Sequence, residues 1–419
     1  MKVLLKNCKI IDQSSKHHNQ VKDVLIENET ISLIGSSITE SADQVVDLEN
    51  MHLSNGWMDA RVNFCDPGLE HKEDLVSGVR AAEKGGFTAV ALSPQTEPFI
   101  SSKSQIEYVL KKTAYSNVDV YPLGTVTENG GGEQLAEMYD MLQAGAIGFT
   151  DGDKDVNAGI QYRALLYCQN FDGLLVSFPH ESALFGKGYI NEGEISVKTG
   201  LKSIPSIAET IRIERDLSLL RYTGGRIHFS GISTAEGVTL IRNAKAEGLN
   251  VSADAFFMNV LFNEEKMLDF DSNYKVYPPL RTEKDREALI NGLNDGTIDF
   301  VCSNHQPENI ENKDVEFDHA DFGVIGTQFL FAALNSHSEL DLSVLVNCLS
   351  KKTRTTYGLS TVSIEEGQQA DLTFFNPDKE FTLEADQIAS KSQNTPFIGQ
   401  QLKGTIYGTY NKGILTLQD

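Results

Sequence analysis

Short apolar runs alternate with stretches of helical periodicity through the middle of the chain. The apolar runs lie at 57–63, 87–93, 118–124, 146–150, 174–178, 226–230, 251–255 and 299–303. Two of the intervening stretches have recognisable helix starts: a capping box of Ser206 and Glu209 opens residues 206–222, and Thr282 with Asp285 precedes residues 283–295. Strands that alternate with helices in this way predict an α/β fold, a (β/α)8 TIM-like barrel.

Both ends of the chain have a different pattern, in which short alternating runs are separated by turn residues. These runs lie at 2–7, 21–26, 30–34 and 44–47, and again at 370–375, 404–410 and 413–417. They predict strands, and we expect the two segments to pair into one small β-sandwich domain, residues 1–54 plus 362–419, beside a barrel of residues 55–361. A doubly wound open sheet is the competing interpretation, but no Gly-x-Gly-x-x-Gly follows the first strand of the barrel.

Composition narrows the possible partners. The 419 residues are 40% hydrophobic and 23% charged, which is typical of a soluble globular protein. A net charge of -23 argues against nucleic acid or an anionic membrane as a partner. The first residues lack the apolar core of a signal peptide, and the five scattered cysteines include no Cys-x-x-Cys. We therefore expect a cytoplasmic protein with reduced thiols and no membrane partner.

The first strand of the barrel carries the most informative residues. Alternation places Asp59, Arg61 and Asn63 on one side of the strand, and a Pro-Gly pair ends the stretch at residue 68. This stretch resembles the first-strand motif of the dihydroorotase family of the amidohydrolase superfamily, Gly-Phe-Ile-Asp-x-His-x-His-x-Arg-x-Pro-Gly. Arg61 and Asn63 stand where that motif has its two histidines, and Cys65 stands where it has its arginine.

The resemblance covers essentially the whole chain. Further matching segments are 67–74, 85–88, 190–194, 278–286 and 394–399. In active members, the resemblance implies, two zinc ions at the mouth of the barrel polarise a cyclic amide and supply hydroxide while an aspartate shuttles the proton. It also implies a role in pyrimidine biosynthesis.

The chain departs from the family pattern at nearly every ligand position. One carboxylate of the fourth-strand acidic pair remains as Asp151, whereas the fifth- and sixth-strand ligand positions are Phe178 and Gly231. The eighth-strand segment, usually Asp-His-Ala-Pro-His, reads Asn304-His-Gln-Pro-Glu308, so the catalytic aspartate is an amide. The usual Pro-Asn-Thr of the substrate site has Gln95 at its centre.

These residue types cannot perform the family reaction. Arginine has no lone pair for Zn²⁺, phenylalanine and glycine offer no donor atom, and an asparagine amide is a poor zinc ligand. We therefore predict no catalytic residue, no metal and no cofactor. The vestigial positions are Asp59, Arg61, Asn63, Asp151, Phe178, Gly231, Asn304 and His305, with Cys65 and Gln95 as degenerate substrate contacts.

A new metal site is the main alternative at the level of residues. His180, His228 and His305 lie near the old positions, and the thiols of Cys65 and Cys302 together with a histidine would suit zinc. Histidines at a barrel rim are more often hydrogen-bonded structural residues, and buried cysteines are commonly small apolar side chains.

Three functions remain open. The leading hypothesis is a pseudoenzyme kept for its fold and surfaces; the resemblance implies a structural partnership with aspartate transcarbamoylase, and we expect a homo-oligomer. The second is an active dihydroorotase or other cyclic-amide hydrolase with a remodelled zinc site. The third is a small-molecule sensor that uses the old pocket.

Two structural expectations follow from the lost ligands. A guanidinium can take over the electrostatic role of a metal cation, so we predict an ion pair of Arg61 with Asp151 or, failing that, with Asp153 or Asp59, unless Arg61 extends to solvent. Residues 306–321, rich in Glu, Asp and Asn, are predicted to form a mobile loop over the mouth.

Overall fold

The computed structural model describes residues 1–418. The strands are, in chain order, β1 (Lys2–Ile10), β2 (Val21–Glu27), β3 (Thr30–Gly35), β4 (Gln44–Val46), β5 (His52–Asn55), β6 (Trp57–Val62), β7 (Phe87–Leu92), β8 (Asp119–Pro122), β9 (Leu175–Ser177), β10 (Ile190–Asn191), β11 (Ser203–Ile204), β12 (Ile227–Phe229), β13 (Val251–Phe256), β14 (Phe300–Cys302), β15 (Leu372–Thr382), β16 (Gln401–Asn411) and β17 (Ile414–Leu417).

The β domain joins the two ends of the chain in one eight-stranded sheet. Its order is β17-β16-β15-β5-β1-β2-β3, with β4 beside β1. The link between the two segments is the antiparallel pair β5–β15, in which Leu53 faces Phe374. Alternating apolar residues of both segments, such as Val3, Ile26 and Leu372, form a separate core. The expected pairing of the two ends is confirmed, and it continues directly into the barrel because β6 begins two residues after β5 ends.

Parallel strands close the barrel. Strands β6, β7 and β8 pair in sequence, as do β9, β12, β13 and β14. The predicted fourth strand is not a regular strand; Phe149 makes isolated parallel bridges to Gly124 and Leu175 and so connects the two groups. A parallel bridge between Val62 and His305 closes the circle. The prediction of a TIM-like barrel is confirmed, and the carboxyl ends of its strands meet at one mouth.

Helices surround the barrel and fill its connections. They are α1 (Leu75–Lys84), α2 (Lys103–Lys112), α3 (Met138–Ala144), α4 (Ala158–Cys168), α5 (Ser182–Phe185), α6 (Glu194–Thr199), α7 (Ile207–Thr223), α8 (Ala235–Ala246), α9 (Phe257–Leu261), α10 (Glu283–Asp295), α11 (Ile310–Lys313), α12 (Leu330–His337), α13 (Leu342–Leu349) and α14 (Lys351–Thr356). None of the helices within residues 1–418 is long and apolar enough to cross a membrane.

The two predicted helix starts have different outcomes. The capping box of Thr282 and Asp285 is present at the start of α10. The predicted capping box at α7 is wrong, because Ser206 makes no capping hydrogen bond. Glu209 is instead buried and accepts hydrogen bonds from the backbone and hydroxyl groups of Ser233 and Thr234. A carboxylate predicted to cap its own helix thus holds the loop that follows β12 at the barrel mouth.

Candidate functional site

Arg61 occupies the centre of the barrel mouth and is bound by amides. Its side chain projects from the end of β6 and is only 5% exposed. Its Nε donates to Oδ1 of Asn304 at 2.9 Å, and one terminal nitrogen donates to Oε1 of Gln95 at 3.4 Å. Within residues 1–418 no carboxylate oxygen lies within 4.0 Å of its guanidinium nitrogens. The predicted ion pair is therefore wrong, and so is the alternative in which Arg61 extends to solvent.

The predicted carboxylate partners of Arg61 are satisfied elsewhere. Asp151 accepts hydrogen bonds from the backbone of Val126 at 2.8 Å and from the backbone and hydroxyl of Thr127. Burial raises the pKa of the Asp151 carboxyl, which those hydrogen bonds oppose. Asp153 accepts from Nε2 of Gln95 at 2.6 Å, so this amide lies between the carboxylate and Arg61.

Asp59 is directed below the mouth. It is fully buried and accepts from the backbone of Ser303 at 3.0 Å and the hydroxyl of Thr327 at 2.9 Å. Burial raises the pKa of this carboxyl as well. Its contacts connect β6 to the strand and loop on the other side of the closure, which is a structural task.

Two aromatic rings fill the space beside the guanidinium. The carbon at the centre of the Arg61 guanidinium lies 5.2 Å from the ring centroid of Phe178 and 5.5 Å from that of Phe256. The two rings are stacked, with centroids 6.3 Å apart. A Cβ atom added at Gly231 would lie 2.7 Å from Cζ of Phe256 and 3.3 Å from Cε2 of Phe178. The rings therefore occupy the space that a ligand side chain at position 231 would need.

Asn304 and His305 follow β14 but point in different directions. Nδ2 of Asn304 donates to the carbonyl of Tyr277 at 3.3 Å while its Oδ1 accepts from Arg61. The His305 ring is turned away from the mouth: Nδ1 accepts from the backbone N–H of Gly326, and Nε2 lies 3.5 Å from the carboxylate of Glu73. His305 is thus a structural residue of the barrel closure.

The remaining first-strand positions are held by local hydrogen bonds. Asn63 donates to the backbone carbonyl of Gln95 at 3.1 Å and accepts from the backbone N–H of Cys65 at 2.9 Å. Cys65 is buried, and burial raises the pKa of its thiol to about 12. A thiol in that state is neither a nucleophile nor a ready metal ligand at neutral pH.

A cavity of about 340 Å³ lies above Arg61. Its aromatic wall is formed by side chains of three segments, namely Phe178, His180, Phe185, Tyr277 and Phe322. The ring of His180 lies 4.8 Å from that of Tyr277 and 4.8 Å from that of Phe185, centroid to centroid. Burial lowers the pKa of His180 to about 4, so the imidazole is neutral at physiological pH.

Residues 306–321, the predicted loop over the mouth, are anchored by two buried lysines. Lys313 is buried, and its ammonium donates to the carbonyls of Ser272, Asp321 and Gly323 at 2.6–3.0 Å. Lys275, also buried, donates in the same way to the carbonyls of residues 317 and 318. The prediction that residues 306–321 are mobile is at odds with these contacts, because two buried ammonium groups hold the loop by its backbone.

Comparison with known proteins establishes the family. The dihydro-orotase-like family model matches residues 52–237, and the amidohydrolase family model matches residues 194–415. A dihydroorotase of Pelobacter propionicus is 37% identical over 419 residues, with 99% of each chain covered. A dihydroorotase of Syntrophotalea carbinolica is 37% identical over 421 residues, again with 99% of each covered. The chain belongs to the dihydroorotase family.

Solved structures show the same fold at lower identity. L-hydantoinase from Arthrobacter aurescens superposes with a TM-score of 0.86 at 21% identity, covering 99% of this chain and 96% of that one. Dihydropyrimidinase from Brevibacillus agri superposes with a TM-score of 0.83 at 20% identity, covering 100% and 95%. At such identities the likeness concerns the fold, a TIM barrel with a β-sandwich domain.

The residues at the mouth do not fit the zinc centre that the family implies. No three His, Cys, Asp or Glu residues within 1–418 are grouped so that they could hold a metal ion. His228 lies inside the barrel, with Nδ1 2.9 Å from the Ser252 hydroxyl and Nε2 2.9 Å from Asp254. His180 contacts aromatic rings, and Cys302 is fully buried with a thiol pKa raised by burial. The alternative metal sites considered from the sequence therefore do not assemble.

Two important residues of the site were missed in the sequence. Phe256 directly follows the seventh apolar run, and Tyr277 directly precedes the matching segment 278–286. Phe256 is the last residue of β13. Its ring lies beside Arg61, and the Tyr277 ring lies beside His180, so both side chains are at the barrel mouth. That position, combined with an aromatic side chain, is the signal that could have identified them.

Proposed function

We propose that this chain is a non-catalytic, dihydroorotase-like protein of pyrimidine biosynthesis, a pseudoenzyme within its family. Its full-length similarity to proteins named dihydroorotase supports the connection with that pathway. The five free, buried cysteines support a cytoplasmic location.

One observation carries the proposed loss of activity: the guanidinium of Arg61 contacts the Phe178 ring and bonds Asn304. The family places metal ligands at the first two of these positions and the proton-transferring aspartate at the third. In this chain Arg61 contacts both of the other side chains instead. A guanidinium has no lone pair for a metal, and a neutral amide cannot accept a proton at neutral pH. Neither a hydroxide source nor a base remains for opening a cyclic amide.

The decisive experiment measures zinc content and dihydroorotate hydrolysis on the same purified sample, before and after dialysis against zinc. We expect far less than one zinc per chain and no turnover in either state. Stoichiometric zinc together with turnover would instead establish the alternative, an active cyclic-amide hydrolase with a remodelled site. Dialysis against zinc ensures that a loss of metal during purification is not mistaken for a missing site.

For the retained role, we propose a structural partnership with aspartate transcarbamoylase, in an assembly that contains more than one copy of this chain. The support is the family resemblance together with an intact fold around an altered centre. Sedimentation of the chain alone and mixed with the transcarbamoylase of the same organism tests both statements. A monomer that leaves the sedimentation of the enzyme unchanged would refute them.

A further inference from the structure

Arg61 is a buried cation that lines a cavity and has unused hydrogen-bond donors. A guanidinium has five N–H donors, and the bonds to Asn304 and Gln95 use two of them. Arg212 provides a contrast, because it is buried to a similar degree but bonds Asp155 at 2.6 Å and Asp216 at 3.0 Å. A buried charge without a counter-ion is unfavourable unless a ligand supplies one.

The cavity above Arg61 has an aromatic wall against which a ring could pack. The ring centroids of Phe185 and Phe322 lie 5.1 and 5.7 Å from that of Tyr277. His180, 8% exposed, lies in the same wall, and its buried Nε2 has no hydrogen-bond partner within residues 1–418. An unpartnered buried nitrogen is rare in native structures, and a bound molecule would satisfy it. The volume of about 340 Å³ is at the small end for ligand pockets.

The charges around the cavity favour an anion with a single negative charge. Asp153 and Glu308 line the cavity together with Arg61 and Lys154. Glu308 is paired with Lys72 at 2.7 Å, and Asp153 accepts from Gln95, so both carboxylates are held in place. A phosphate dianion would be repelled by these two carboxylates, whereas a monocarboxylate matches one guanidinium in charge and in planar geometry.

We propose that this cavity binds a small aromatic monocarboxylate, with the carboxylate on the Arg61 guanidinium and the ring against Tyr277, His180 and Phe322. The inference rests on the proposed function, since it requires that Arg61 replaces the metal centre. The ligand is held by a cation at the former metal position and by apolar walls.

Titration calorimetry with benzoate tests the proposal, using zinc-free protein in a buffer that contains a chelator. Benzamide is the matched neutral ligand, and dihydroorotate is the matched carboxylate on a puckered, polar ring. We expect benzoate to bind with a Kd of about 1 mM or below, and both other ligands to bind at least about tenfold more weakly. No benzoate binding, equal binding of benzamide, or tighter binding of dihydroorotate would each overturn the proposal.

Three variants test whether benzoate binds in the cavity above Arg61. Asn304→Asp gives Arg61 an internal carboxylate without removing the guanidinium, and we expect it to weaken benzoate binding at least about tenfold. Phe322→Ala, at a half-buried position, removes part of the aromatic wall and weakens binding too. Arg80→Gln, an exposed arginine on α1, is the control and leaves binding unchanged. Unaltered benzoate binding in both cavity variants would place the ligand elsewhere and refute the site.

The outcomes for ligand and metal are separable. Stoichiometric zinc together with dihydroorotate turnover in the untreated protein would refute the proposed loss of activity, whatever benzoate does. Failure of benzoate to bind a chain shown to lack zinc would refute the ligand site alone.

Discussion

The guanidinium of Arg61 lies 5.2 Å from the centre of the Phe178 ring, across the barrel mouth from β6 to the end of β9. The resemblance to the dihydroorotase family implies metal ligands at both positions. The centre of the barrel thus keeps a positive charge, which aromatic faces and amide oxygens can stabilise. A guanidinium and a phenyl ring offer no lone pair that could bind a metal. The neighbouring carboxylates of Asp151 and Asp153 accept hydrogen bonds from other residues, so neither pairs with Arg61.

The amide environment of Arg61 sets the expected effect of its removal. Arg61→Met leaves no carboxylate unpaired, because its partners Asn304 and Gln95 are neutral. We expect a loss of at most about 1–2 kcal/mol in the free energy of unfolding, because removing a buried charge without a counter-ion offsets part of the lost cation–π contacts and packing. Arg212→Met is the matched variant; it leaves Asp216 buried and without one of its cations, and we expect about 3–5 kcal/mol. Urea denaturation measures both. An Arg61→Met loss as large as that of Arg212→Met would reveal a charged partner.

The substitution Gly231→Ala tests whether the rings of Phe178 and Phe256 fill the space beside residue 231. Gly231 and Gly248 both have a left-handed φ, +85° and +81°, so an alanine is disfavoured by its backbone at either position. Only at Gly231 would the new Cβ collide with Phe256, which is itself 2% exposed and cannot move freely. We expect Gly231→Ala to be less stable than Gly248→Ala by about 1–3 kcal/mol. Equal stabilities of the two variants in thermal and urea unfolding would mean that the Phe256 ring moves aside at little energetic cost.

His180 makes stability depend on pH in the acidic range. Burial lowers its pKa from the ordinary 6.5 to about 4, so between these values the unfolded chain binds a proton that the native protein does not. The contribution to stability is fully present above about pH 6.5 and is lost as the pH falls towards 4, at most about 3 kcal/mol. We expect His180→Phe to flatten the pH dependence of the unfolding free energy in this window.

The control for that measurement is His319→Gln, which removes a histidine that is 73% exposed. A wild-type slope that survives unchanged in His180→Phe would show that other groups cause it.

The anchored loop can be released by a single substitution. Lys313→Met removes three hydrogen bonds to the carbonyls of residues 272, 321 and 323. Unpaired carbonyls favour exposure to water, so we expect faster amide hydrogen exchange across residues 306–323. Lys284→Met, at an exposed position on α10, is the control. If both variants exchange at the wild-type rate, the loop is held by other contacts.

The fold could be predicted from the sequence because it depends on periodicity and turn residues. The barrel and the pairing of the chain ends follow from such local patterns. The prediction of a regular strand at residues 146–150 was wrong, since only Phe149 makes β-bridges there. The prediction of a capping box with Glu209 was wrong for a different reason. The Glu209 carboxylate accepts from four donor groups of Ser233 and Thr234, which are distant in sequence. A long-range contact of this kind cannot be read from local spacing.

The site was predictable in its positions but not in its contacts. Residues 61, 178 and 304 were expected at the mouth, and Arg61 does contact the other two side chains there. The partner of Arg61 was not predictable, because it depended on where the oxygens of Asp151 were already bonded. Val126 and Thr127 supply those bonds largely through the backbone, which carries no sequence signal.

Restoring the family's aspartate should not restore the reaction. Asn304→Asp places a carboxylate where Oδ1 now accepts from Arg61 at 2.9 Å, so the new group forms an ion pair with the guanidinium. A carboxylate held in this way has a lowered pKa and is a weaker base. It also has no activated water to deprotonate, since Phe178 and Gly231 still contribute no ligand. We therefore expect no dihydroorotate turnover in Asn304→Asp or in Arg61→His/Asn304→Asp, with or without added zinc. Turnover in Asn304→Asp, measured against the wild-type chain under the same conditions, would show that a functional metal site persists at the mouth. Turnover in the double variant alone would show that one histidine and one aspartate are enough to rebuild such a site.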